Sequence, residues 1–302
     1  MSKQLRMKYL FSDRPYDPNV PPADYDMLCV DSHGSKIYGE LMWPDGGFSA
    51  ERPCVILSHG YPGVARNDDL AFALRRIGCV VATIHHRGAW GSQGSYLVSN
   101  CVEDVIQVCR HVRRPAFCER YRVDPNAIFL VGHSMGGNSV LQAARQLPWI
   151  RGLVLLAPYD PTWHLRTGNP TELISLLQCG YILHWGGIGG ILRDIQQHLE
   201  DYPFENAFNR LKDQNICCVL GTLDKISCRE MVQPLWEKLN AHQTPAVQQL
   251  VEFPAAHGLC GYRIAMIREV AGFLESVCRK SERLGRVCSP FPESERALVK
   301  KQ

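Results

Sequence analysis

Long apolar runs are what this sequence most plainly lacks. Its longest uninterrupted ones are about five to seven residues, apart from a glycine-broken patch between Gly180 and Leu192. Roughly 20 are needed to span a bilayer, so no membrane span is expected. The N-terminal stretch has basic residues but neither the apolar h-region nor the small-residue cleavage site of a secretory signal. Charge of one sign is also missing: 33 Lys plus Arg stand against 30 Asp plus Glu, a net charge of +3 with no basic run. A nucleic-acid or anionic-membrane partner therefore has no electrostatic support. No Cys-x-x-Cys pair occurs among the 13 cysteines, and no clustered Cys/His spacing suggests zinc. Cys54, Cys79, Cys217 and Cys218 fall inside strand-like runs, where a free thiol acts as a small hydrophobe. Reduced thiols and a cytoplasmic location are the expectation. Neither Gly-x-Gly-x-x-Gly on a first strand–helix turn nor Gly-x-x-x-x-Gly-Lys-Ser/Thr is present, so nucleotide-cofactor binding has no motif.

What is present is the composition of a globular chain: 302 residues, 45% apolar and 21% charged. Residues 1–24 are polar and Pro-rich and read as an extended lead-in. Residues 25–43 read as two strands joined by the Asp31–Ser35 turn with Gly34 as pivot. From residue 54, short β-branched runs alternate with amphipathic stretches: strands at 54–60, 79–86, 127–132, 152–158, 215–221 and 247–253. Helices are expected at 68–78, 100–114, 136–147, 229–240 and 262–279, the second with Asn100 as N-cap and Glu103 completing a capping box. Apolar runs without polar alternation indicate strands buried on both faces. The expected fold is α/β: one doubly wound, mostly parallel sheet in a single domain spanning 1–302. Residues 159–212 break the rhythm with glycine-interrupted helical pieces and read as a lid-like insertion. The charged segment 281–302 reads as a surface tail.

The strongest local signal is Gly132-His133-Ser134-Met135-Gly136-Gly137, directly between a buried strand and a helix. A nucleophilic serine on such a turn is lifted out of the sheet, and the Met135 N–H is left at a helix N-terminus, where it can stabilise an oxyanion. A serine hydroxyl is a weak nucleophile without a base. Two later strand-end loops supply an acid and a base, Asp224 in Gly221-Thr222-Leu223-Asp224 and His257 in Pro254-Ala255-Ala256-His257-Gly258. Asp160, which also follows a strand, competes for the role of acid. A second oxyanion donor is expected from Ser58-His59-Gly60-Tyr61-Pro62-Gly63, with the Tyr61 N–H as candidate because Pro62 has none. Trp90, Tyr159 and Trp185 are candidate pocket residues. Arg87 suits either a substrate carboxylate or a structural ion pair. Adjacent His85 and His86 would point to opposite faces of a strand, which argues against a shared metal.

Together HGYPG, HHRGAWGSQGSY, VGHSMGG, GTLD and AAHG resemble the α/β-hydrolase superfamily, and within it the prolyl-oligopeptidase-like and cinnamoyl-esterase-like serine hydrolases. The resemblance covers about residues 54–278. It implies a cofactor-independent hydrolase acting on a small acyl substrate, with Ser134, Asp224 and His257 as triad and the Tyr61 and Met135 N–H groups as oxyanion hole. About fifty residues precede the first central strand, too few for the propeller of true oligopeptidases, which favours small substrates. A carboxylesterase is the leading expectation. The alternatives are an amidase or small-peptide hydrolase and, from another class, a hydrolase-fold protein that binds a ligand without turnover. The sequence leaves the natural substrate and the oligomeric state open.

Overall fold

The computed structural model describes residues 5–48 and 50–284. Eight strands form one sheet: β1 (Asp24–Ser32), β2 (Ser35–Trp43), β3 (Arg52–Ser58), β4 (Val80–His85), β5 (Val123–His133), β6 (Gly152–Leu156), β7 (Ile216–Gly221) and β8 (Gln248–Phe253). Their spatial order is β1-β2-β4-β3-β5-β6-β7-β8. β1, β2 and β4 pair antiparallel, and every pair from β4 through β3 to β8 is parallel. The helices are α1 (Asp68–Ile77), α2 (Val98–Val112), α3 (Pro115–Tyr121), α4 (Met135–Gln146), α5 (Trp163–Arg166), α6 (Pro170–Leu177), α7 (Gly187–Gln197), α8 (Phe208–Leu211), α9 (Gln233–Ala241) and α10 (Arg263–Leu284).

The central strands are buried on both faces, which is why their sequence does not alternate. All seven residues of β3 and all five of β6 are buried. Cys54, Ile56, Leu130, Leu155 and Cys218 face a core shared with α2 and α4, while Val55, Leu57, Val131, Val154 and Val219 face one shared with α1 and α10. Edge strand β1 instead alternates, with Leu28, Val30 and Ser32 buried between exposed residues. The β1–β2 turn has His33 and Gly34 at φ 51° and 81°, the left-handed pair a tight hairpin requires.

Three local expectations need correction. The lead-in is not extended throughout: a single 3-10 turn at Met7–Tyr9 carries Leu5 and Leu10 into the α1-side core, and Arg76 donates to the Leu10 carbonyl. Helix α2 starts at Val98, not at 100, and Asn100 lies inside its first turn. Its free N-terminal groups are met from outside, by Asp194 of α7 accepting from the Ser99 N–H (3.0 Å) and hydroxyl. A carboxylate from the insertion thus does the work assigned to a local capping box. Helix α3 has no counterpart in the sequence reading, although Pro115 at its first position marks it. The expected surface tail begins inside α10 and otherwise lies outside the described residues.

The insertion is four short helices and connecting 3-10 turns over the carboxyl ends of the parallel strands. It is fastened to the core loops: His184 N–H donates to Gly88 O (2.8 Å), Tyr96 N–H to His184 O (2.9 Å), and the Tyr61 hydroxyl to Leu177 O (2.6 Å). No helix among the described residues is long and apolar enough to cross a membrane.

Candidate active site

From β3 the chain moves to β4 on one side and then to β5 on the other, so the strand order reverses at β3. The carboxyl ends of strands at such a switch point open into a crevice where ligands bind. Ser134 stands there, between the last residue of β5 and the first of α4, with φ 56° and ψ −125°. That backbone is strained for a residue with a side chain, and it is held by Ser134 N–H to Leu156 O (3.0 Å) and by Ser134 O accepting from the Gly137 and Tyr159 N–H groups.

The flanking glycines answer to close approach. A Cβ on Gly136 would lie 2.3 Å from Ser58 O, at the end of β3, and 2.5 Å from His59 O, at the start of the loop after it. A Cβ on Gly60 would lie 2.7 Å from Ser134 Cβ and 3.3 Å from its hydroxyl. The loop carrying Gly60 and Tyr61 therefore runs directly against the candidate nucleophile. Neither the Tyr61 nor the Met135 N–H donates to a backbone carbonyl among the described residues.

His257 lies in the loop after β8, and its Nδ1 is 2.8 Å from Asp224 Oδ2, in the loop after β7. Asp224 Oδ1 accepts from the N–H groups of Ile226 (2.7 Å) and Ser227 (3.0 Å). Burial raises the Asp224 pKa, but the hydrogen bond and charge of His257 and the two backbone donors outweigh it, and the carboxyl stays below its usual 3.8. The competing acid is engaged elsewhere. Asp160 is fully buried and accepts from the Thr162 N–H and hydroxyl and from Arg166 (2.8 Å). Burial raises its pKa in spite of those donors. So the structure joins His257 to Asp224.

His133, unremarked in the sequence beyond its place in the motif, contributes here. Its Nε2 donates to His257 O (3.1 Å), and the two rings are 5.0 Å apart. Burial, then the nearby His257, lower its pKa to about 4, so it serves as a neutral strut between Ser134 and the His257 loop.

The candidate pocket residues occupy three different situations. Tyr159 is buried, with its hydroxyl unpartnered among the described residues. Trp185 packs on Tyr61 at 6.1 Å, and Tyr61 in turn on Tyr96 at 5.6 Å, so the insertion rests on the loop after β3. Trp90 is half exposed, donates to Gly63 O (2.8 Å) and lies under the Arg66 guanidinium. Arg87 takes the structural role: its Nε donates to Asp104 Oδ1 (2.7 Å) in the core. His86 is buried, while His85 turns the other way toward Arg66. Among the described residues no cluster of His, Cys, Asp or Glu could hold a metal ion.

Residues 49–176 match the family described as "Serine aminopeptidase, S33". Monoglyceride lipases of Rattus norvegicus and Mus musculus are each 31% identical over 153 residues, 49% of this chain and 47% of theirs. The chain thus aligns with about half the length of these curated relatives. Among solved structures, Est1E from Butyrivibrio proteoclasticus with bound ferulic acid superposes with a TM-score of 0.65 at 20% identity, covering 82% of this chain and 98% of that one. Brefeldin A esterase, a bacterial homologue of human hormone-sensitive lipase, gives 0.64 at 18%, covering 90% and 81%. At those identities the likeness is one of fold.

Proposed function

We propose that this chain, a member of the α/β-hydrolase superfamily, is a serine hydrolase that cleaves carboxylic esters of small acyl substrates. The observation that carries the reading is the His257–Asp224 pair at 2.8 Å, on the two loops that follow the last strands, together with a serine at φ 56° on a strand–helix turn whose neighbour His133 donates to the His257 carbonyl. With Nδ1 engaged by Asp224, the His257 proton sits on that nitrogen and Nε2 is left to accept the Ser134 proton. Ser134 Oγ then attacks the acyl carbon. The resulting oxyanion is met by the N–H groups of Tyr61 and Met135. His257 returns its proton to the leaving alcohol, and an acyl-enzyme on Ser134 remains. Water, deprotonated by the same imidazole, releases the acid. No step needs a metal or an organic cofactor.

The ester preference is supported by the relatives and structural neighbours, which include lipases and esterases. The "aminopeptidase" description of the matched family supports amide cleavage as the second reading. The test is labelling by a fluorophosphonate on wild type and Ser134→Ala, followed by hydrolysis of matched ester and anilide substrates. Label on Ser134 that the variant loses, with esters turned over faster than anilides, is expected. Faster anilide cleavage would move the assignment to an amidase. A folded wild type that takes no label would reject the hydrolase and favour ligand binding without turnover. The free thiols of every described cysteine suit a reducing compartment such as the cytoplasm.

A further inference from the structure

We propose that His59 is a positioning residue of this site: its imidazole holds the carbonyl of Gly60 and so aims the N–H of the same peptide, that of Tyr61, at the oxyanion. The inference rests on the hydrolase reading above and adds a residue to it.

Gly60 has to be glycine, because a Cβ there would collide with Ser134. The same absence of a side chain leaves the peptide on its C-terminal side free to rotate. A rotated peptide would present its carbonyl oxygen where its N–H should stand, and a developing oxyanion would meet a negative dipole. Something must hold the peptide, and His59 does. Its Nδ1 lies 2.8 Å from Gly60 O. The Gly60–Tyr61 bond is trans, since the cis bond of this loop is the next one, Tyr61–Pro62. In a trans peptide the C=O and N–H are antiparallel, so fixing one fixes the other.

The ring itself is fixed. His59 is buried, and its Nε2 accepts from the His86 N–H at 3.4 Å, which leaves the ring proton on Nδ1 to donate to Gly60. Burial and the neighbouring His86 push the His59 pKa down to about 3, against a smaller upward pull from the Gly60 carbonyl, so the neutral tautomer persists. The rings of His59 and His86 meet edge to face at 4.8 Å. His86 is held by Ser58 Oγ at 2.8 Å, while its Nδ1, without a hydrogen-bond partner among the described residues, faces Asp104 Oδ2 at 3.5 Å. Asp104 in turn accepts from the Ser32 hydroxyl (2.6 Å), Arg87 Nε (2.7 Å) and the Arg87 N–H (2.8 Å). Ser58, His86 and Asp104 have the residue types of a catalytic triad, yet all are at most 2% exposed. No substrate reaches them, and their order ends at the ring that holds Gly60.

The test compares His59→Leu, His59→Asn and His59→Gln in the full chain. Each is read by kcat and KM on a short-chain p-nitrophenyl ester and by the affinity of an aryl trifluoromethyl ketone, which forms a hemiketal oxyanion on Ser134. Losing one oxyanion donor costs about 10²–10³ in kcat. His59→Leu should therefore lower kcat about 100-fold at little-changed KM and weaken the ketone by the same factor. Asn carries a donor close to the position of Nδ1 and Gln does not, so His59→Asn should exceed His59→Gln by about tenfold. This comparison decides the matter if the Leu variant does not fold. Equal Asn and Gln variants, or a folded Leu variant with wild-type kcat and ketone affinity, would overturn the inference while the hydrolase reading stands. A wild type without fluorophosphonate label on Ser134 would overturn both.

Discussion

A carboxylate that is buried yet ionised makes its demands felt through pH. The folded-state pKa of Asp224 is lowered from 3.8, so between the folded and unfolded values the unfolded chain binds more protons. Its contribution to stability is complete above the unfolded value and is lost as pH falls through the folded one. Acid titration of thermal stability should show this directly: the gap between wild type and Asp224→Asn should close below about pH 3.8. At neutral pH the same variant should lose about 10³–10⁴ in kcat, because an amide accepts poorly from His257 and permits the wrong tautomer. A pH–rate profile and a melting series would check both. Ser134, Asp224 and His257 could be proposed from the sequence because each follows a strand and their order along the chain suits the fold. That His257 pairs with Asp224 and not Asp160 could not be read there, since both end strands and only the fold shows Asp160 spent on Thr162 and Arg166. His59 and His133 were hidden for a different reason. Each acts on a main-chain carbonyl, Gly60 O for His59 and His257 O for His133, and carbonyls leave no trace in residue identity.

At the scale of the elements, the sequence announced the strands and helices of the parallel half, because burial on both faces writes long β-branched runs. It mislaid the start of α2, where the capping carboxylate lies 95 residues away in chain order. Asp194→Ala should remove that cap at a cost of about 1 kcal/mol, seen as a lowered midpoint in urea with the label on Ser134 retained. The approach of α4 to the β3 loop is less forgiving. Gly136→Ala places a carbon 2.3 Å from a main-chain oxygen, and backbone has to move. We expect a loss of about 1–3 kcal/mol in unfolding stability. Turnover should fall with it, because the displaced segment, Ser58–His59, leads into Tyr61.

Over the whole molecule, the candidate site sits at one end of the sheet and the free thiols are spread through its body. Cys29, Cys179 and Cys260 are exposed, whereas Cys54, Cys79, Cys101, Cys109, Cys217, Cys218 and Cys278 are buried. Burial raises the pKa of Cys54, Cys79, Cys101, Cys109, Cys217 and Cys218 well above the ordinary thiol value. Alkylation of the native protein followed by peptide mapping should therefore mark the first three and spare the buried set until denaturant is added. The insertion offers a second test at this scale. Tyr61→Phe removes the hydroxyl that reaches Leu177, and should speed limited proteolysis between residues 177 and 187 and shift KM more than kcat. The broken periodicity of 159–212 marks a departure from the strand–helix rhythm. Where the insertion is fastened could not be read from it, because the tie is again to a carbonyl.

The carboxylate of Asp194 bears on how such a molecule could be re-engineered or could diverge. An insertion of this kind invites exchange as a unit. In this chain the segment 159–212 also completes a helix of the body, through Ser99. A graft that brings a new pocket wall without an acceptor at that point would leave α2 frayed at its first turn. The insertion here is a transferable part only together with Asp194, the peg that seats it.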